Sequence, residues 1–132
     1  PSTASRVITS AAYDALTFTY ADFSGRGAVS VYEGSGVPKP DLAAPGVRVT
    51  APIPEGGYGE FTGTSFAAPF VTGSAALLME WGIVRENDPF LWGEKVKAYL
   101  RRGAQPLRGF ETYPNPEIGY GVLCVKESIP KM

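Results

Sequence analysis

Histidine is absent from all 132 residues. The chain therefore supplies no imidazole base of its own and holds no His-ligated metal. Cysteine is nearly absent. Cys124 stands alone, which excludes an intrachain disulfide and a cysteine-based zinc site. Flanked by Leu123 and Val125, it reads as a small buried hydrophobe, and it leaves the redox compartment unassigned. An excess of one charge is missing too: 12 Lys+Arg face 13 Asp+Glu, for a net charge of -1. That balance gives no electrostatic footprint for nucleic acid or an anionic membrane, so neither is expected as a partner. No charged-then-apolar leader opens the sequence, and no run reaches the roughly 18 apolar residues of a membrane span.

What is present fits a packed core. The hydrophobic fraction is 44% and the charged fraction 19%, values that disfavour disorder. The 16 Gly and 12 Pro punctuate the chain heavily. Pro1-Ser2-Thr3 is not a natural start, so a piece of a longer protein is expected. Residues 6–12 read as a short strand, and 16–23 alternate as a second one. A short strand is expected at 28–32, followed by a Gly34-Ser35-Gly36 loop, and another strand at 47–50. Residues 52–59 read as an irregular loop. Its Glu55-Gly56-Gly57-Tyr58-Gly59 core lacks the spacing and the lysine of a phosphate cradle.

Two helices follow. From Ser65 to Trp81 the chain is apolar or small on every face except Glu80, which predicts a helix buried all round. A second is expected over 88–102, with Asp88 as cap, Pro89 at the first position and Gly103 beyond its end. Trp92, Val96, Tyr99 and Leu100 mark its buried stripe. Glu94, Lys97 and Arg101 mark its wet face, and Arg101-Arg102 a solvated terminus. Residues 104–118 read as loop and 120–128 as a last short helix.

The chemistry centres on Gly63-Thr64-Ser65. A serine after a glycine turn, opening a buried helix, sits at the positive end of the helix dipole. Its own N–H is one of the donors there without an intrahelical acceptor, and is available to an oxyanion. The simpler reading is that Thr64 or Ser65 only caps the helix. The wider context decides. Gly63-Thr64-Ser65-Phe66-Ala67-Ala68-Pro69, with Val71 and Gly73, resembles the serine signature of the subtilisin-like proteases (subtilases). Lys39-Pro40-Asp41-Leu42-Ala43-Ala44-Pro45-Gly46-Val47 resembles the family's segment upstream of that serine. Residues 1–14 with Phe23-Ser24-Gly25-Arg26-Gly27, and Gly119-Tyr120-Gly121, resemble its flanking segments, so the likeness covers nearly the whole chain.

This resemblance implies an α/β, three-layer subtilisin-like fold with a mostly parallel sheet, of which residues 1–132 form the C-terminal portion. It implies Ser65 as the catalytic nucleophile of a serine endopeptidase, with the Ser65 backbone N–H in the oxyanion hole. The family's Asp, His and oxyanion Asn precede the serine and are expected upstream of Pro1. The chain alone is then expected to be inactive, because losing a triad member costs on the order of 10⁴ to 10⁶ in turnover. A non-catalytic pseudoprotease, acting as a binding or regulatory subunit, is the alternative. Expected partners are a peptide or protein substrate, the missing upstream half of the domain, and a second copy through self-association. The resemblance is compatible with a secreted or cell-envelope location. No cofactor is required, and calcium is implied only as a structural ion of the parent protein. Asp14, Asp22, Glu33 and Asp41 lack a calcium-loop pattern and are assigned surface or buttressing roles. Two positions depart from the pattern: Phe70, where the family often has His, is read as core, and Thr62 replaces a common Asn.

Overall fold

The computed structural model describes residues 2–27 and 38–131. The strand expected at 28–32, the following loop and Glu33 lie outside them. A three-stranded sheet forms the centre, in the order β2 (Thr19–Tyr20), β1 (Ser10–Asp14), β3 (Leu42–Pro45). β1 and β3 run parallel, with Ser10 opposite Leu42 and Tyr13 opposite Pro45, and β2 lies antiparallel on the β1 edge. A separate hairpin joins β4 (Val49–Pro52) to β5 (Tyr58–Phe61). Helices α1 (Thr64–Met79), α2 (Glu94–Gly103) and α3 (Val125–Ser128) follow, with a π-helical turn, Glu80–Val84, extending α1.

The strands are small-residue strands, SAAYD and LAAP, and that composition lets helices approach closely. Alternation along the pleat divides the core in two. Ala12, Leu42 and Ala44 face the helical layer and pack with Ala67, Val71 and Leu78 of α1 and with Val96 and Leu100 of α2. Ala11, Tyr13 and Ala43 face the opposite side and meet Leu107 and Ile118 from the long loop. Leu42, Leu78, Leu91, Leu100 and Ile118 are fully buried, each contributing roughly 1.5–3 kcal/mol of transfer free energy.

Several expectations shift. The first strand begins at Ser10, four residues late. The residues before it are held by side chains instead of a ladder, as described below. The second shrinks to Thr19–Tyr20, because the Asp14 carboxylate accepts from the Leu16 and Thr17 N–H groups and forms a turn there. Leu16 and Phe18 are left exposed. The strand expected at 47–50 forms two residues later, and the expected loop at 52–59 is the tip of a hairpin. α2 begins at Glu94, not Asp88. The Asp88 carbonyl takes the Leu91 N–H in a turn, while its carboxylate binds Lys95 and Tyr99. Trp92 is therefore outside the helix and exposed, stacked edge-on with Phe90. The last helix is confined to α3. Cys124 is half-buried.

α1 differs most. It is not buried all round: Ala67, Val71, Ser74 and Leu78 form one buried stripe, while Phe70 and Leu77 stand 41% and 57% exposed. Phe70 is thus not core: with Leu77 it lines an open groove between α1 and β4. Counted with the π turn, the helix Thr64–Val84 is 21 residues, long and apolar enough by composition to cross a membrane. The run expected to fall short of a span's length does reach it, although its buried stripe is already engaged by the sheet.

Candidate active site

The sequence around Ser65 is built to hold one backbone geometry. β3 ends at Pro45, and the next residue, Gly46, donates its N–H to Tyr13 O of β1 at 3.0 Å. Gly46 O in turn accepts the Gly63 N–H at 2.8 Å. A side chain at Gly46 would place its Cβ 2.6 Å from Ala12 Cβ and 3.0 Å from Gly63 O, so only glycine permits this approach. Gly63 itself lies at φ 155°, ψ 160°, a region nearly closed to L side chains. The first turn of α1 is thereby pinned to the sheet through two glycines.

Gly63 is the N-cap, and no side chain caps the helix. The capping reading of Thr64 or Ser65 therefore does not hold. Ser65 is the second helical residue, so its N–H points out of the helix start with no intrahelical acceptor. The first turn contains no acidic residue, which leaves the positive end of the dipole unneutralised. Pro69, inside the helix, has no N–H to give the Ser65 carbonyl. Ser65 is exposed, and among the described residues its hydroxyl has no hydrogen-bond partner. It opens on a cleft of ≈ 370 Å³ whose other wall is residues 7–10. An adjoining cleft of ≈ 290 Å³ shares Ser2, Thr9, Ser10 and Thr64 and continues to Ser24 and Gly25. Nearby Ser24 is buried, and its hydroxyl accepts the Ala12 N–H at 3.0 Å.

Asp41 does not approach Ser65 chemically; it is a fully buried hub. One carboxylate oxygen accepts the Thr9 N–H at 2.7 Å and Lys39 Nζ at 2.8 Å. The other accepts Arg101 through Nε at 2.9 Å and through a second guanidinium nitrogen, and lies 3.4 Å from Lys97 Nζ. Burial pushes the Asp41 carboxyl upward, but Lys39, the Thr9 N–H and Arg101 together hold it below the usual range. Burial pushes the Lys97 ammonium below its ordinary value, against the pull of Asp41. Lys97 and Arg101, assigned from helical spacing to a wet face, are instead turned inward by this one carboxylate. Arg101 also lies over the Tyr120 ring at 4.8 Å. Gly119, at φ 57°, would drive a Cβ into Pro40 O and the Asp41 carbonyl, so the closing glycine segment packs directly onto the hub.

Among the described residues, the other suspected carboxylates, Asp14 and Asp22, form no metal-binding group with a third. Asp14 is occupied by its turn and by Arg48 at 3.3 Å. Among the described residues, no group of three His, Cys, Asp or Glu side chains is placed to hold a metal.

A serine at the open end of a helix, its amide free, on an α/β scaffold, is an arrangement that can present a hydroxyl nucleophile beside an oxyanion donor. The comparisons specify the lineage. A model of the subtilase family matches residues 1–121, and the chain belongs to that family. It is 32% identical over 123 residues to the minor extracellular protease Vpr of Bacillus subtilis, covering 87% of this chain and 14% of that protein. It is 46% identical over 70 residues to the major intracellular serine protease of the same organism, covering 51% and 21%. Its structure matches the Clostridium perfringens CspB protease with a TM-score of 0.89 at 45% identity, over 97% of this chain and 26% of that one. The patellamide maturation protease PatA matches at 0.75 and 31% identity, over 97% and 43%. The fold is subtilisin-like α/β, and the chain spans a minor part of each relative's length.

Proposed function

We propose that Ser65 is the acylating nucleophile of a subtilisin-type serine endopeptidase, and that this chain is the C-terminal segment of its catalytic domain. The observation that carries the reading is the Ser65 geometry: an exposed hydroxyl and a free amide on a helix start that two glycines fix to the sheet. In that reading Ser65 Oγ attacks the scissile carbonyl carbon, its proton passing to an imidazole supplied from upstream. The developing oxyanion is received by the Ser65 N–H, with a side-chain donor, also from upstream, as its second partner. The acyl-enzyme is then hydrolysed by water. The Asp, His and Asn belong to the upstream half of the domain, so these 132 residues alone carry no proteolysis. The substrate is a peptide or protein.

The exposed side of α1 supports a covering partner, either the upstream half or a second copy. A secreted or cell-envelope setting draws support from the relative named as extracellular, and the relative named as intracellular is its counterweight. Fractionating the producing cells for the protein distinguishes the two.

The test is labelling with a fluorophosphonate probe in a protein that carries the upstream sequence. Labelling at Ser65, abolished by Ser65→Ala, is the expected outcome. A folded domain that binds peptides without labelling is a pseudoprotease, and the proposal then fails.

A further inference from the structure

The wall of the cleft facing Ser65 carries almost no secondary structure of its own. Between residues 5 and 9 its backbone polar groups are held by charged side chains from elsewhere. Lys97 Nζ donates to Ser5 O at 2.6 Å and to Val7 O at 3.1 Å. Lys39 Nζ donates to Val7 O at 2.7 Å. The Thr9 N–H is taken by Asp41 at 2.7 Å. Among the described residues, only the Asp41 N–H to Thr9 O bond, at 2.9 Å, resembles a ladder. Three cations thus converge on one carboxylate, and the two lysines also donate to backbone carbonyls of residues 5 and 7. Lys97 is almost wholly buried, with 3% of its side chain exposed, and Lys39 has 10%.

A structural ion pair would need one cation. The additional ammonium groups are accounted for by the carbonyls they hold: Val7 O, held by both lysines, belongs to the segment that lines the Ser65 cleft, and Ser5 O lies two residues before it. We propose that Lys39, Asp41 and Lys97 form a charge clamp that sets the position of the 5–9 wall, and that all three are positioning residues for substrate binding. They touch neither the nucleophile nor the reacting atoms. Lys97 reaches from the start of α2 across 90 residues of sequence to Val7. Arg101 anchors the carboxylate from the other side, so the wall's position is tied to the packing of α2.

This inference rests on the endopeptidase reading, and its test separates the two. In the protein carrying the upstream sequence, Lys97→Met removes both carbonyl contacts but leaves Asp41 paired with Lys39 and Arg101. KM for extended peptides rises about tenfold or more, because a cleft wall misplaced by an ångström costs up to about a hundredfold. Ser65 labelling by the small fluorophosphonate probe stays within about twofold, since that reaction does not use the wall. Lys97→Arg, which keeps the charge and donors, recovers most of the binding, and Lys39→Met gives the same split. An unchanged KM overturns the clamp. So does a parallel fall in labelling and peptide binding, which is what general destabilisation produces. Amide exchange of residues 7–10 provides a readout that does not depend on catalysis. The clamp requires faster exchange there in Lys97→Met than in wild type, with α1 unaffected, and equal protection overturns it. Failure of the wild-type protein to label sinks the nucleophile reading and leaves the exchange experiment decisive for the clamp.

Discussion

Asp41→Asn is the most demanding single perturbation of this structure. The substitution preserves shape but removes the one carboxylate, among the described residues, that pairs with Lys39, Lys97 and Arg101. The wild-type carboxylate accepts from Thr9, Lys39 and Arg101, and no surface of Asp41 is exposed. The asparagine amide offers one acceptor oxygen where two stood, and its NH₂ faces a cation. Removing one partner of a buried ion pair costs about 3–5 kcal/mol, because the remaining charges stay buried and uncompensated. A domain's whole stability is only about 5–15 kcal/mol, so the loss is a large fraction. With a urea m-value of about 2 kcal/mol/M, the midpoint falls by roughly 2 M. The assay is equilibrium urea unfolding of the complete catalytic domain, with Arg85→Ala as control. Arg85 pairs with Glu80 at the surface, and exposed pairs contribute about 0–1 kcal/mol. The pH dependence has a definite sign. The native Asp41 carboxyl titrates below its ordinary value, so its stabilisation is complete above the unfolded pKa of about 3.9. It is lost as pH falls through the lower native value, and the Asp41→Asn substitution removes that acid-sensitive part. An Asp41→Asn cost under about 1 kcal/mol, or an acid limb equal to wild type, would refute the hub argument.

Other outcomes follow from the same contacts. Gly46→Val forces a Cβ to 2.6 Å from Ala12 Cβ; fluorophosphonate labelling of Ser65 should fall at least about tenfold through displacement of the Gly63 loop, and should do so even where far-UV circular dichroism is unchanged. Gly119→Ala meets both a positive φ and a clash of its Cβ with Pro40 O; a loss of about 2–4 kcal/mol in urea unfolding is expected. For the 132-residue chain by itself, sizing chromatography should show association through the open side of α1, and Phe70→Glu with Leu77→Lys should reduce it. A compact monomer that is unchanged by this pair of substitutions would contradict the exposed-face argument.

The geometry at Ser65 was legible because its determinants are largely local. Gly63 and Ser65 are two residues apart, and a glycine before a helix start permits the φ angle that leaves the Ser65 amide free, while the bond that holds it comes from Gly46. The α/β class was legible through the resemblance of the Lys39–Val47 and Gly63–Gly73 segments to the subtilases, not through periodicity. The Asp41 hub was not. Its partners come from positions 9, 39, 97 and 101, and helical spacing assigns Lys97 and Arg101 to water because it counts a charged residue as a solvated one. Only a buried acid elsewhere reverses that, and Asp41 gave no local sign of burial beyond the apolar Leu42-Ala43-Ala44 after it. Asp88-Pro89 misled in the opposite direction. A good helix-start signal was overruled because the Asp88 side chain found Lys95 and Tyr99, and its carbonyl closed a turn on Leu91. α1 misled because an apolar composition on every face reads as burial all round, whereas the described residues bury only one stripe of it.

The Asp41 hub and the Ser65 helix start are tied to opposite ends of the same strand, and β3 connects them mechanically. Asp41 precedes β3 and fixes its start to the 5–9 wall. Gly46 follows β3 and fixes its end to Gly63. Between them Leu42, Ala43 and Ala44 are fully buried and paired in register with β1, so the strand cannot shift along its axis without breaking that ladder. The distance between the cleft wall and the serine is therefore set by a four-residue strand instead of by contacts across the cleft. This arrangement also explains why the smallest residues cluster here: alanine on both faces of β3 and glycine at its end allow α1 to lie close enough for Gly63 to reach Gly46.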